Sequence, residues 1–394
     1  MIDSLVDLRA REEHDPVAEV ADAMHYSRLL YCKFLKQVGD VYDHYGDFPA
    51  AHKMYQKCLL LRQSVQGTDH LDVAEAFTDL GRTLFSCGSF LPSWDMYMEA
   101  LRIRENHGGD HLNTAWTYFH VGQLLQELGN MDEAKAMMER CLAIQEHLGS
   151  DRYAAKTRSH LALLLGDSAL DANQHVALEM AHEAHRILSH LAGEDHPDTA
   201  FCYGVISRIL QHINVEEALS LIGQCEAIQE RAHGSRHPSL FMTYTLHGDI
   251  LRLQNSPEYA YEEYCKALDI GSSPVSIART YANMSVVASI LKRYDEAVEL
   301  HDGVLAILEA SPHIMDQKLV LIYSSAGEDV FDRREYSLAV VLFRRGMEVM
   351  EAMLGKDHPD LAAAHDAVAL ALYCKGDYAG AYIEYEQIRK STCK

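Results

Sequence analysis

Twenty-three histidines in a chain of 394 residues raise the question of a metal centre, and the densest group is His175, His182, His185 and His190. Its spacing does not suit a hydrolytic zinc site. His182-Glu183-Ala184-His185 is one residue short of the HExxH arrangement, which sets two ligands on one helical face with a glutamate base between them. The group therefore reads as a polar helix face, and no metal and no cofactor is expected. Other catalytic signatures are missing too. Gly108-Gly109 stand outside any Walker or dinucleotide loop, and no GxSxG elbow occurs. Asn283-Met284-Ser285 matches a glycosylation acceptor but falls in a helical stretch, so coincidence explains it. The nine cysteines (Cys32, Cys58, Cys87, Cys141, Cys202, Cys225, Cys265, Cys374 and Cys393) form no CxxC pair and are odd in number, the usage of reduced thiols.

Composition narrows the partners. The chain is 48% hydrophobic and 24% charged, enough to bury a large core, yet it has no apolar run long enough for a membrane span. A net charge of −23 makes it a poor binder of nucleic acid, which needs a concentrated basic face. Met1 to Arg11 carries Asp3 and Asp7 and lacks the apolar centre of a signal peptide, so a cytoplasmic location is expected.

Any binding residues must be positioned by the element that repeats along the chain. A small residue recurs at Ala51, Ser93, Ala134, Ala177, Ala218, Ala260, Ala297, Ala339 and Ala381, with separations of 42, 41, 43, 41, 42, 37, 42 and 42. Twelve residues earlier stands another small side chain in most copies: Gly39, Gly81, Gly122, Gly248, Ser285, Gly327 and Ala369. Four residues after the alanine comes a bulky side chain and seven after it a small or apolar one, as in Ala51, Tyr55, Cys58 and Ala260, Tyr264, Ala267. The i, i+4, i+7 spacing lays one buried stripe along a helix. Turns such as Tyr45-Gly46-Asp47-Phe48 and Lys375-Gly376-Asp377-Tyr378 split each unit into two antiparallel helices. A period of this kind means a solenoid, which builds a long surface more readily than a closed catalytic pocket.

At these offsets the chain resembles the tetratricopeptide repeat family, over about residues 30 to 390. HEAT and armadillo repeats share the period but not the paired offsets. The common form has 34 residues, and here roughly eight more lengthen the second helix and its link. The links end in Gly193-Glu194-Asp195-His196-Pro197, Gly234-Ser235-Arg236-His237-Pro238 and Gly355-Lys356-Asp357-His358-Pro359, with partial copies at Asp69-His70 and Asp110-His111. Long units with this link are similar to those of kinesin light chains. Gly suits the end of one helix, Pro the first turn of the next, and Asp198 or Asp360 the positive helix N-terminus, so the histidines read as linker residues.

The resemblance implies an all-α, right-handed α-α superhelix of about nine hairpins whose first helices line a concave groove. Helical projection places Lys33, Lys36, Asp40, Glu75, Asp79, Arg82, Trp116, Phe119, His120 and Gln123 on that face in the first three units, with Asn283 further along. Trp116 is the expected anchor, because an indole offers both apolar area and one N–H donor. Family members that grip a C-terminal carboxylate use Lys and Asn. Lys36 matches the Lys, but Asp40 stands where the Asn belongs and would repel a carboxylate. The Asn-rich inner helices of kinesin light chains survive mainly as Asn283.

The units are expected near residues 30–66, 71–107, 112–148, 154–191, 198–233, 239–271, 275–310, 317–354 and 360–390. Residues 1–29 form a leader or capping helix that Asp15-Pro16 could open, and 391–394 a short tail. Leu165 and Ile206 occupy the usual Gly position in units four and five, which predicts splayed hairpins. The short link Gly271-Ser272-Ser273-Pro274 predicts a changed angle between units six and seven. Together these readings point to a non-enzymatic scaffold or adaptor that holds protein or peptide segments, basic or neutral in charge, in its groove. A sensing or regulatory arm of a larger signalling assembly and a His-rich metal-dependent enzyme are the alternatives. Oligomeric state stays open.

Overall fold

A computed structural model describes residues 16–109, 111–166, 171–271, 273–310, 317–356 and 358–392. Residues 1–15, Asp110, Ser272, Asp357, Cys393 and the end of the tail lie outside the described residues, as does any signal in Met1 to Arg11. Among the described residues there are eighteen α-helices and no strands. They pair into nine hairpins: α1 (Pro16–His44) with α2 (Phe48–Gln66), α3 (Leu71–Ser86) with α4 (Phe90–Asn106), and α5 (Leu112–Glu127) with α6 (Met131–His147). The central three are α7 (Asp151–Gly166) with α8 (Asp171–Ala192), α9 (Pro197–Leu210) with α10 (Val215–His233), and α11 (Ser239–Leu253) with α12 (Pro257–Ile270). The last three are α13 (Pro274–Ile290) with α14 (Tyr294–Ala310), α15 (Gln317–Asp332) with α16 (Tyr336–Leu354), and α17 (Leu361–Lys375) with α18 (Tyr378–Thr392). The two helices of each hairpin pack together, and first helices of successive hairpins also meet, as α7 with α9 and α13 with α15. Helix α1 starts at Pro16 and runs unbroken to His44.

The recurrent alanine marks the point of closest approach within a hairpin. Ala51, Ala134, Ala177, Ala218, Ala260, Ala297 and Ala339 are fully buried. At Gly39, Gly81, Gly248 and Gly327 the glycine before it is dictated by the ring that follows it. A Cβ added to Gly248 would lie 2.6 Å from the Tyr264 ring, and one added to Gly39 would lie 2.6 Å from Tyr55. Cysteines fill the place seven residues after the alanine in three hairpins, where Cys58, Cys141 and Cys225 are buried and unbridged.

Seven hairpins turn in the same way. Five residues before the alanine the backbone is left-handed, at Gly46, Gly88, Gly129, Asn255, Lys292, Arg334 and Gly376. The next N–H donates to the carbonyl five residues earlier at 2.8–2.9 Å, from Asp47 to Leu372's partner Asp377, closing the helix in a Schellman motif.

In hairpins four and five the small residue stands at a different offset from the alanine, and this corrects the register read from Leu165 and Ile206. Buried threonines set the true register. Thr117, Thr157 and Thr243 meet a polar side chain eleven residues after the preceding alanine or its serine equivalent: Arg104, Gln145 and Gln229 respectively. Five residues beyond them stand Gly122, Ala162 and Gly248, so hairpin four places buried Ala162 at the close approach. In hairpin five the equivalent is Ser207, whose hydroxyl donates to the Ala218 carbonyl at 2.5 Å, just as Ser285 donates to Ala297 at 2.8 Å. The offset differs in these two hairpins, and small residues still occupy the contact.

The linker histidines have a definite job. His70, His196, His237 and His358 each accept, through Nδ1, the backbone N–H two residues on, at 3.1, 3.0, 3.2 and 3.3 Å. His70 and His196 thereby cap the next helix in the way Asn or Ser usually does, while His237 and His358 make the same bond just ahead of the cap.

Candidate peptide-binding groove

The first helices of hairpins one and two bring Lys36, Asp40, Glu75, Asp79 and Arg82 into one network. Lys36 Nζ lies 3.1 Å from Asp40 Oδ2, 3.6 Å from Asp79 Oδ2 and 3.9 Å from Glu75 Oε1. Arg82 pairs with Asp43, and its Nη2 is 3.4 Å from Asp79 Oδ1 and 3.2 Å from the Tyr55 hydroxyl. Tyr55 in turn donates to Asp40 at 2.7 Å, and Arg62 reaches Glu75 at 3.0 Å. Lys33 is exposed beside this network. Burial pushes the Asp79 carboxyl up to about 7, against the pull of Lys36. Its Oδ2 is buried without a hydrogen-bond partner. Burial works the other way on Lys36, but Asp79 and Asp40 outweigh it and the ammonium is held above its ordinary range.

In hairpins three to five the first helices carry aromatic rings instead. Trp116 packs edge-on against Phe119 at 5.5 Å and Tyr153 at 5.3 Å. Phe119 meets His160 at 4.7 Å, and His160 meets Phe201 at 4.6 Å. His120 stacks on Tyr97 at 5.7 Å and approaches Gln123 Oε1 at 3.3 Å. Phe119 is buried, whereas Trp116, His160 and Phe201 keep part of their surface open. Burial, helped by the Arg82 charge, lowers His120 to about 4, and burial with Lys156 and His120 lowers His160 to about 3. Both rings are neutral at physiological pH and extend the row of packed rings.

Beyond the ring row the first helices carry polar contacts again. Tyr264 donates to Asp249 Oδ1 at 2.7 Å, and the Asn283 amide donates to the same oxygen at 3.0 Å. Asn283 is thereby buried and committed to Asp249. The sequence alone gives no sign of two features that depend on the pitch of the solenoid. Arg279 of hairpin seven reaches Glu127 of hairpin three at 2.5 Å, and the His44 ring at the end of α1 lies 5.3 Å from His237 in the link before α11. His160 and Phe201 were hidden by the shifted register of hairpins four and five; counting from Thr157 would have placed them.

The histidine-rich helix α8 forms no centre. His175 faces Glu179 at 3.6 Å, His185 faces Glu194 at 3.3 Å, and His182 and His190 are exposed. Among the described residues no helix is long and apolar enough to cross a membrane.

Stacked hairpins with a lined inner face define an α-solenoid of the superhelical class. Models of the family described as tetratricopeptide repeat match residues 30–106 and 93–147, and again 277–311 and 321–360. The chain belongs to the tetratricopeptide repeat superfamily. Among solved structures it is similar to the Rap conjugation gene regulator of the plasmid pLS20 in complex with the Phr* peptide, at 17% identity and a TM-score of 0.57 over 72% of this chain and 77% of that one. A Rap protein complexed with competence and sporulation factor matches at 12% identity and a TM-score of 0.57, over 93% and 98%. A Podosopora anserina putative kinesin light chain with nearly identical TPR-like repeats matches at 16% identity and a TM-score of 0.42, over 51% and 95%. No curated protein sequence matches the chain.

Proposed function

We propose that the chain is a non-enzymatic scaffold that holds an extended peptide segment along its first helices. The observation that carries this reading is the ring ladder Trp116, Phe119, His160, Phe201, which runs without a break across three hairpins and leaves partly open rings along the groove. Such a ladder accepts apolar side chains of a peptide by burial, while the polar clusters on either side offer donors and acceptors for its backbone. Both Rap structures are described with a peptide or factor bound, which supports a peptide as the ligand class for this chain too. The acidic balance favours basic or neutral segments by steering. A cytoplasmic setting fits this role.

The pair Arg279–Glu127 favours a second, compatible reading as a sensing arm. It spans hairpins three and seven, so a ligand seated between them would change a contact that other domains or partners could read. Affinity capture with mass spectrometry, comparing the wild type with Trp116→Ala and Phe201→Ala, tests the groove. Loss of the same partners from both variants is expected; an unchanged set of partners from folded variants would refute the assignment.

A further inference from the structure

Glu226 on α10, His247 on α11 and Glu263 on α12 converge at the seam between hairpins five and six. Each offers one ligand atom, and the three atoms lie within 4.8 Å of one another. His247 Nδ1 is 2.9 Å from Glu226 Oε2 and 3.8 Å from Glu263 Oε2. Glu263 is only 8% exposed, and its Oε2 is buried with no hydrogen-bond partner. A carboxylate oxygen in that state is costly unless a positive charge meets it. Lys266 brings a positive charge to the cluster, 2.7 Å from Glu263 Oε1 and 3.7 Å from Glu226 Oε1. The lysine side chain is 49% exposed and lies over the Tyr244 ring at 5.3 Å, so its head can move into solvent without unpacking a helix.

We propose that Glu226, His247 and Glu263 form a binding site for a divalent transition-metal cation of the Zn2+ class, which displaces the Lys266 ammonium. One imidazole and two carboxylates suit Zn2+ and Co2+ better than Mg2+ or Ca2+, which favour oxygen ligands alone. Three protein ligands leave a position for water. Because the ligands come from three helices of two hairpins, the ion would staple hairpin five to hairpin six and favour the folded chain over the unfolded one. The site is independent of the peptide groove and uses none of its residues.

The test uses the full chain, stripped with a chelator and dialysed, titrated calorimetrically with ZnCl2 and spectroscopically with Co2+. A single equivalent of Zn2+ should bind with a Kd of about a micromolar or tighter. Bound Co2+ should show d–d bands without thiolate charge transfer. His247→Gln and Glu263→Gln should each weaken Zn2+ binding by about tenfold or more. Lys266→Ala should tighten it several-fold, an opposite sign that misfolding cannot imitate. Absence of stoichiometric uptake by the wild type, thiolate bands in the Co2+ spectrum, or an affinity unmoved by His247→Gln, Glu263→Gln and Lys266→Ala would overturn the assignment.

Discussion

Arg279 and Glu127 stand 152 positions apart in the chain, yet the guanidinium lies 2.5 Å from the carboxylate. Their side chains are 20% and 19% exposed, so water screens the pair only in part. Through it a side chain of hairpin seven touches one of hairpin three. A double-mutant cycle with Glu127→Gln and Arg279→Gln should return a coupling of about 1 kcal/mol. Hydrogen exchange should quicken at the ends of α5 and α13 in each single variant, and unchanged exchange in both would show that the pair holds nothing.

Two glycine substitutions should move stability in opposite directions. At Gly248 a new methyl would lie 2.6 Å from the Tyr264 ring, and Tyr264 cannot retreat freely because its hydroxyl is bound to Asp249. Gly248→Ala should therefore cost about 1 to 3 kcal/mol through overpacking. Gly223 lies in α10 with nothing within 4 Å of its added Cβ, and there Ala should gain about 0.5 to 1 kcal/mol from helix propensity. Urea denaturation of the two variants checks both signs.

Much of this architecture was legible because its causes are local. The offset of twelve between Gly248 and Ala260 follows from one ring lying over one glycine, and that constraint is written in adjacent hairpin positions. Where the offset changed, as between Ala162 and Ala177, the same count landed on Leu165 and suggested a splayed hairpin that the true register does not require. The polar lining was only half readable. Lys36, Asp40, Glu75, Asp79 and Arg82 lie on neighbouring helices and could be grouped by projection, but no projection shows that they satisfy one another. The contact of Arg279 with Glu127 depends on the accumulated rotation of four hairpins, a property no single repeat encodes.

The shared turn makes a further prediction. Lys292 and Arg334 sit at φ 62° and 65°, in the position that glycine fills in four other hairpins. A side chain in the left-handed region costs about 1 kcal/mol relative to glycine. Lys292→Gly and Arg334→Gly should each raise stability by about that amount, less the extra entropy glycine gives the unfolded chain. A fall in stability for both would mean their side chains contribute contacts that outweigh the backbone strain.

Asp79 is held in a state that opposes folding at neutral pH. Burial raises its carboxyl from 3.8 to about 7, so the fold prefers the protonated form. A raised folded value means that its contribution is fully present below about pH 4 and is lost as pH rises through about 7. Asp79→Asn removes the charge while keeping the shape, and should stabilise the chain by as much as a few kcal/mol at pH 8. Near pH 4 the same substitution should be close to neutral. Thermal denaturation of both proteins at the two pH values reads the difference, and an equal shift at both would exclude ionisation as the cause.

The ring row should respond to acid in the reverse sense. His120 and His160 are lowered from 6.5 to about 4 and about 3, chiefly by burial, with Arg82 and Arg104 charges facing the first and Lys156 and His120 facing the second. Below about pH 6.5 the unfolded chain binds protons that the folded chain refuses, so stability is lost as pH falls from 6.5 toward the folded values. One such group contributes a slope of up to about 1.4 kcal/mol per pH unit within that window. His160→Phe keeps an aromatic ring against Phe119 and Phe201 but has no proton to bind. The difference in unfolding free energy between wild type and His160→Phe, measured by urea at pH 7.5, 6 and 5, should therefore widen in favour of the variant as pH falls. A pH-independent difference would mean that the His160 ring is solvated when it titrates, and that the ring row is wetter than its packing implies.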